Sequence, residues 1–313
     1  MKVVIVGKGE MLSNLIEGAL DAECDVVGVL RYETTVLPAW KLALRDFFKP
    51  ANDYTIIKQH RLKELKCKSV NSEEFKKEIL RLNVDVILVG IWGERFKKDI
   101  LDLPVIASIN AHPALLPKYR GPNPYLQNIL HRETKSGLTL HLMDEGYDSG
   151  AILVQKEIQI LPNDTSKELK ERTVFQARLL SAELLKKLEF GMVIPVKQNE
   201  NEMSYYTNIN DYDKMLDFKK ETAEETHARI RALHPWLPTY YTYKDKYFIP
   251  NPYKLQILEI NKGEVGDIVD TDYKNSSITV QCKDGKALKM NGVKLYGFFN
   301  RIFTKQYIKN IKI

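Results

Sequence analysis

Val3–Val6 is an unbroken apolar run closed by Gly7 and Gly9, and Met11, Leu12, Leu15, Ile16 and Leu20 then recur at helical spacing. A second apolar run covers Val26 to Leu30. Short continuous runs fit strands buried on both faces, and recurrence at three and four fits an amphipathic helix. The opening therefore predicts a strand–helix–strand unit, the start of a parallel α/β sheet. Its GKGEML turn lacks the third glycine of a dinucleotide fingerprint and reads as a tight strand-to-helix turn. Further strands are expected at Val84 to Val89, ending at Gly90, and at Val105–Ile109, Thr139–Met143 and Ile152–Ile160, with a helix over Glu73–Leu82. Asp164 or Thr165 suits the N-cap of a long helix whose apolar positions include Leu169, Val174, Leu179, Leu180, Leu184 and Leu188. Residues 31–63 break the pattern with two prolines, four aromatic residues between Trp40 and Tyr54, and no glycine. They read as an irregular insertion.

The pattern changes again at residues 191–208, a polar and asparagine-rich stretch that reads as a linker between residues 1–190 and a second domain, 209–313. That domain opens with a helix over Glu221–Leu233. Strand patterns follow at Tyr240–Tyr243, Leu255–Ile260, Ser277–Cys282 and Ala287–Met290, with turns at Lys262-Gly263, Lys274-Asn275 and Asp284-Gly285. Many short strands with turn signals predict a small β-barrel.

Hydrophobic residues at 44% and charged residues at 28% exclude a disordered chain. No run approaches the roughly 18 apolar residues of a membrane span. The N-terminus lacks the apolar core of a signal peptide, so a cytoplasmic location and no membrane association are expected. Cys24, Cys67 and Cys282 lie far apart without CxxC spacing, which argues against a disulfide framework and a zinc site. The net charge of +6 is uneven: residues 273–313 hold Lys274, Lys283, Lys286, Lys289, Lys294, Arg301, Lys305, Lys309 and Lys312 against the single anion Asp284. Such a module suits a polyanionic partner such as RNA, or is simply a solvated face.

Candidate chemistry is concentrated in INAHPALLPKYRGPNPY and in GLTLHLMDEGYDSGAIL. Asn110 and His112 are expected just beyond the strand Val105–Ile109, where open sheets bind ligands, and alternate residues of an extended segment face one way. Asp148 lies in a glycine-flanked loop after another strand. An amide can hold a developing oxyanion, an imidazole can handle protons near neutrality, and a carboxylate can orient that imidazole. Singly, each residue also has an ordinary structural use. His60, His131, His141, His227 and His234 lack a comparable setting and read as structural or surface residues.

Together, N-A-H-P-A-L-L-P-K-Y-R-G-P-N-P and G-L-T-L-H-L-M-D-E-G-Y-D-S-G resemble the folate-dependent formyltransferase family, over most of residues 1–190. The resemblance implies a Rossmann-like sheet domain followed by a small OB-like β-barrel. It implies Asn110, His112 and Asp148 as the catalytic trio, and 10-formyltetrahydrofolate as formyl donor with no metal. It places that donor against Ile91, Trp92 and Gly93 and against Asp144, Glu145, Gly146 and Tyr147, with Arg120 either fixing the neighbouring loop or meeting a phosphate. HARIRALHPWLPTYY, GEVGDIVD and ITVQCKDGKAL resemble the C-terminal domain of the methionyl-tRNA branch. That branch implies initiator tRNA as partner of a monomer, with Lys283, Lys286, Lys289, Lys294, Arg301 and Lys305 on the RNA-facing surface. Members of that branch usually carry a glycine- and cation-rich insertion after the second strand. Here the insertion has no glycine, and offers Lys41, Arg45 and Lys49 among Trp40, Phe47 and Phe48, either to unpaired nucleotides or as a helical hairpin packed on the domain. The alternative acceptor is an amino-sugar nucleotide.

Overall fold

The computed structural model describes residues 1–312. Along the chain run β1 (Lys2–Gly7), α1 (Gly9–Asp21), β2 (Asp25–Arg31), α2 (Tyr32–Val36), α3 (Ala39–Phe48), α4 (Asn52–Gln59), α5 (Glu73–Leu82), β3 (Val86–Gly90), α6 (Lys98–Leu101), β4 (Ala107–His112), α7 (Pro124–Leu130), β5 (Lys135–Leu142), β6 (Ile152–Gln159) and α8 (Ser166–Glu189). Two compact units result. One comprises residues 1–124, 136–159 and 170–206, and the other residues 125–135, 160–169 and 207–313.

The first unit is built on a six-stranded sheet of order β2-β1-β3-β4-β5-β6. Neighbours from β2 to β4 pair in parallel, as the sequence predicts, whereas β5 runs antiparallel to β4, so the sheet is mixed. Val3–Val6 and Val86–Val89 are at most 1% exposed, which explains their unbroken apolar pattern. Each such side chain contributes about 1.5–3 kcal/mol by leaving water. Gly18 lets α1 lie tightly on α8, since a Cβ there would stand 2.1 Å from Ser181 Oγ and 2.6 Å from the Arg178 carbonyl oxygen. Arg178 then clamps the contact through Glu17 and Asp21.

The insertion is helical, not irregular. Its root is a buried ion cluster. Arg31, 1% exposed, meets Asp46 and Glu64, each at 2.8 Å, and Arg45 joins Asp46 at 3.0 Å. Burial alone would raise the Asp46 carboxyl, but the Arg31 and Arg45 guanidinium groups hold it below its ordinary range. In α4, the buried Asp53 accepts the Gly9 N–H at 3.0 Å, at the N-terminus of α1. A carboxylate of the chain itself thus takes the position an anionic ligand would take at the start of such a helix. This agrees with reading GKGEML as a turn.

The second unit continues with α9 (Ala223–Leu233), β7 (Tyr241–Tyr243), β8 (Lys246–Ile249), β9 (Leu255–Leu258), β10 (Ile268–Asp272), β11 (Ser277–Gln281), β12 (Ala287–Met290), β13 (Lys294–Leu295), α10 (Phe298–Ile302) and α11 (Thr304–Lys309). A four-stranded sheet β10-β11-β12-β9 and a three-stranded sheet β13-β8-β7 are antiparallel throughout, the small barrel-like arrangement expected. They share a core that includes Phe218, Ile230, Phe248, Ile278, Val280 and Leu288. Helix α9 starts on a capping box in which Thr222 Oγ1 accepts the Glu225 N–H and Glu225 accepts the Thr222 N–H.

Candidate active site

Strand β4 begins two residues later than predicted and runs through His112, so Asn110 and His112 are its closing residues and not a loop beyond it. The reason is local. Val105 and Ile106 are apolar but 70% and 44% exposed, and they lie outside the strand. Asn110 still shares a face with His112, and the antiparallel register pairs it directly with His141 of β5. His141, taken from the sequence as a structural or surface residue, therefore belongs to the same cluster.

Asp148 is the hub. Its Oδ1 lies 3.2 Å from Asn110 Nδ2, 3.4 Å from His112 Nδ1 and 3.6 Å from His141 Nε2. Its Oδ2 accepts the Gly121 N–H at 2.9 Å. Burial alone would raise this carboxyl. The His112 and His141 rings and the Gly121 N–H outweigh burial and hold it well below the ordinary carboxylate range. Asp148 itself adopts φ +54, in the left-handed region that Asp tolerates better than most residues. His112 Nε2 donates to the Tyr119 carbonyl oxygen at 2.8 Å, so both ring nitrogens face named oxygens.

The stretch 198–206 straps this arrangement together. Gln198 Nε2 donates to the carbonyl oxygens of Asp148 and Gly150 at 2.8 and 2.7 Å. Arg120, 5% exposed, grips Gln198 Oε1 and the Glu200 carboxylate. Its backbone pairs with Ser204 and Tyr206, and Tyr119 stacks on Tyr206 at 5.3 Å. Of the two expected roles for Arg120, these bonds agree with fixing the loop. Gly121 has φ +97, and a Cβ there would stand 2.4 Å from the Tyr206 carbonyl oxygen.

A cleft opens beside the hub, lined by Val89, Trp92, Gly93, Glu94, Arg95, Phe96, Asn110, His141, Met143, Asp144, Gly146, Tyr147 and Asp148. It unites most of the residues expected to meet the donor with two of the expected trio. Ile91 and Glu145 are not part of the lining, and neither is His112. Ile91 has φ +57, a strained conformation for a β-branched residue, at the turn from β3 toward Trp92. Glu94 and Arg95 also line the cleft, and no sequence signal had singled them out; Arg95 stands 5.6 Å over the Tyr147 ring. Asp144 Oδ1 accepts from Gly146 N and Ser149 Oγ, stiffening the loop before Asp148. Trp92 Nε1 is buried without a hydrogen-bond partner among the described residues. A flat ligand with polar edges fits such a lining, with apolar walls at Val89, Phe96 and Met143 and polar groups at Asn110, Asp144 and Asp148.

The remaining expected contacts divide. Arg45 is engaged by Asp46 and Glu33, and Lys41 lies over the Trp40 ring at 5.3 Å. Lys283 meets Glu225, and Lys286 meets Glu224 and Glu259 at 2.8 and 3.0 Å. These two lysines pair with carboxylates of their own unit. Lys289, Lys294, Arg301 and Lys305 form no ion pair among the described residues. No group of three or more His, Cys, Asp or Glu among the described residues is arranged to hold a metal ion. No helix among them is long and apolar enough to cross a membrane.

Residues 1–185 match the formyl transferase family, and residues 208–297 match the formyl transferase C-terminal domain. The chain belongs to the formyl transferase family. It is an enzyme that takes its formyl group from a formyl-tetrahydrofolate. A methionyl-tRNA formyltransferase of Clostridium novyi is 34% identical over 213 residues, 68% of this chain and 67% of that protein. A methionyl-tRNA formyltransferase of Lachnospira eligens is 29% identical over 305 residues, 95% of this chain and 93% of that protein. The crystal structure of an N-formyltransferase from Helicobacter canadensis, solved with folinic acid and dTDP-3-aminofucose, superposes with a TM-score of 0.68 at 20% identity. It covers 93% of this chain and 99% of its own, a likeness of fold.

Proposed function

We propose that this formyltransferase moves the formyl group of 10-formyltetrahydrofolate to the amino group of methionyl initiator tRNA. The observation that carries the choice of acceptor is the 34% identity to a relative named methionyl-tRNA formyltransferase, alongside a second such relative spanning 95% of the chain. The unengaged cations of the second unit, Lys289, Lys294, Arg301 and Lys305, suit an RNA backbone, which binds through charge and without reading sequence.

In this reading the donor lies in the cleft beside Trp92, Gly93, Asp144, Gly146 and Tyr147, with its formyl carbon next to the hub. Asn110 supplies an amide N–H to the oxygen as the carbonyl becomes tetrahedral. Asp148, kept ionised by His112, stands beside the attacking amine and stabilises the positive charge that forms on its nitrogen. His112, anchored on the Tyr119 carbonyl oxygen, fixes the carboxylate from behind. The test is to incubate purified protein with 10-formyltetrahydrofolate and methionyl initiator tRNA, and to measure formyl-methionine after deacylation. Efficient formylation is expected.

The second reading, an amino-sugar nucleotide acceptor, draws on the insertion. Helix α3 exposes Trp40, Leu44, Phe47 and Phe48 and contains no glycine. The solved structure with dTDP-3-aminofucose also covers nearly the whole of both chains. Formylation of a dTDP-linked amino sugar with none on the tRNA would select it.

A further inference from the structure

Among the described residues the cleft is lined by three carboxylates, Glu94, Asp144 and Asp148, and by a single Lys or Arg, Arg95. A formyl-tetrahydrofolate ends in a glutamate, whose two carboxylates are ionised at neutral pH. Such a tail needs a cation. The three carboxylates of the lining are already held by the chain. Glu94 accepts from Ser69 Oγ, from the Val70 N–H at 3.2 Å and from Asn71 Nδ2 at 2.8 Å. Asp144 holds Gly146 N and Ser149 Oγ, and Asp148 holds the hub. Arg95 is different. It forms no ion pair among the described residues, and its guanidinium lies 5.6 Å over the Tyr147 ring. Val89 and Phe96 are buried, whereas Arg95 is exposed and Tyr147 is 58% exposed, so this pair marks the open side of the cleft. The backbone that carries Arg95 is pinned. Asn71 Nδ2 donates to the Arg95 carbonyl oxygen, and Asn71 Oδ1 accepts the Lys97 N–H, each at 2.8 Å. Only the side chain is left to move, which lowers the cost of ordering it on a ligand.

We propose that Arg95 binds a carboxylate of the donor's glutamate tail, and so makes this enzyme select folates that carry the tail. The assignment rests on the donor lying in this cleft, as read above. Tyr147 holds the guanidinium at the open side until the tail arrives. A cation over an exposed ring is held more weakly than one bonded to a carboxylate, so Arg95 leaves the ring for the tail. The planar fork of a guanidinium also matches the two oxygens of a carboxylate, which an ammonium cannot do as well. Formyl transfer does not alter the tail. The contact is therefore equal in the ground state and the transition state, and it lowers KM for the donor without changing kcat. Arg95 touches no reacting atom in this scheme and leaves the work of Asn110, His112 and Asp148 as it stands.

The test needs no acceptor amine, so it stands whether or not the tRNA reading holds. Calorimetry on the whole protein measures the affinity for two probes. One is 5-formyltetrahydrofolate; the other is 5-formyltetrahydropteroyl methylamide, in which a neutral methylamide replaces the glutamate. Wild type should bind the first about 5- to 30-fold more tightly, the lower part of the range for charge-assisted bonds because Arg95 is exposed. Arg95→Gln should weaken the first probe until the two agree within about twofold, and leave the second unchanged. Arg95→Lys should keep part of the preference. Wild type without a preference, or a preference that persists in Arg95→Gln, overturns the proposal. Gly93→Phe tests the cleft itself. Gly93 lines it, and a Cβ there meets nothing within 4 Å, so the ring enters open space. This variant should weaken both probes alike. If it binds both as wild type does, the donor lies elsewhere and the reading of the cleft fails with the proposal. If it blocks both while Arg95→Gln keeps the preference, the cleft stands and Arg95 alone is removed.

Discussion

Two buried charge clusters stand in the first unit, and their difference shows what separates an anchor from a reaction site. At the root of the insertion, Arg31 and Asp46 are buried and Arg45 and Glu64 partly exposed, and the four form opposed charges. Around Asp148, one carboxylate is shared by an amide and two imidazoles, and the group opens on a cleft. The charges of the first cluster are taken up by one another. The second has hydrogen bonds that a carbonyl oxygen can replace and rings that can take up a proton. Burial and ion pairing alone do not mark function; replaceable partners beside open space do.

Asp46→Ala sharpens that contrast. It leaves the Arg31 guanidinium buried beside Glu64 alone, and should destabilise the protein by about 3–5 kcal/mol in denaturant melts. The transfer rate per folded molecule should stay near wild type, and a rate that falls with stability intact would break the distinction. Asn110→Ala should do the reverse, lowering transfer about 100- to 1000-fold with little change in melting temperature. A variant as active as wild type would remove Asn110 from the reaction. Gln198→Ala releases the Asp148 and Gly150 carbonyl oxygens from the strap and should lower kcat about tenfold, read at saturating donor.

The smallest effect lies in the second unit. Burial first, and the Arg231 cation second, press the His227 imidazole down to about 4 from an ordinary value of 6.5. The unfolded chain therefore binds a proton more readily than the folded one between these values. The resulting stability is complete above about 6.5 and declines as pH falls toward 4. His227→Gln should flatten that part of the melting-temperature profile, and an unchanged profile would show that His227 does not contribute to it.

The sheet was legible in the sequence because strands covered on both faces leave unbroken apolar runs, as at Val3–Val6 and Val86–Val89. The insertion was not, because its polarity is inverted. Arg31, Asp46 and Asp53 are buried, while Trp40, Phe47 and Phe48 are 65%, 80% and 75% exposed. The short strands β8 and β13 left no signal because so few residues alternate too briefly to show a period, and β10 showed only through the resemblance carried by GEVGDIVD. Asn110, His112 and Asp148 announced themselves as a motif, and the structure brings them together. His141 sits in the apolar setting L-H-L, which reads as core. Only the cross-strand register that places it opposite Asn110 makes it a neighbour of the carboxylate, and register between distant strands is not written in local pattern.

In the proposed reading the Asp148 cluster transfers a formyl group to methionyl initiator tRNA. Its most direct test is single-turnover formylation by wild type and Asp148→Asn side by side, with 5-formyltetrahydrofolate affinity measured for both. Formyl-methionine is expected from wild type, with a rate at least about 100-fold lower from the variant and matching affinities. Equal rates would remove the cluster from the chemistry, and no formyl-methionine from wild type would contradict the choice of acceptor.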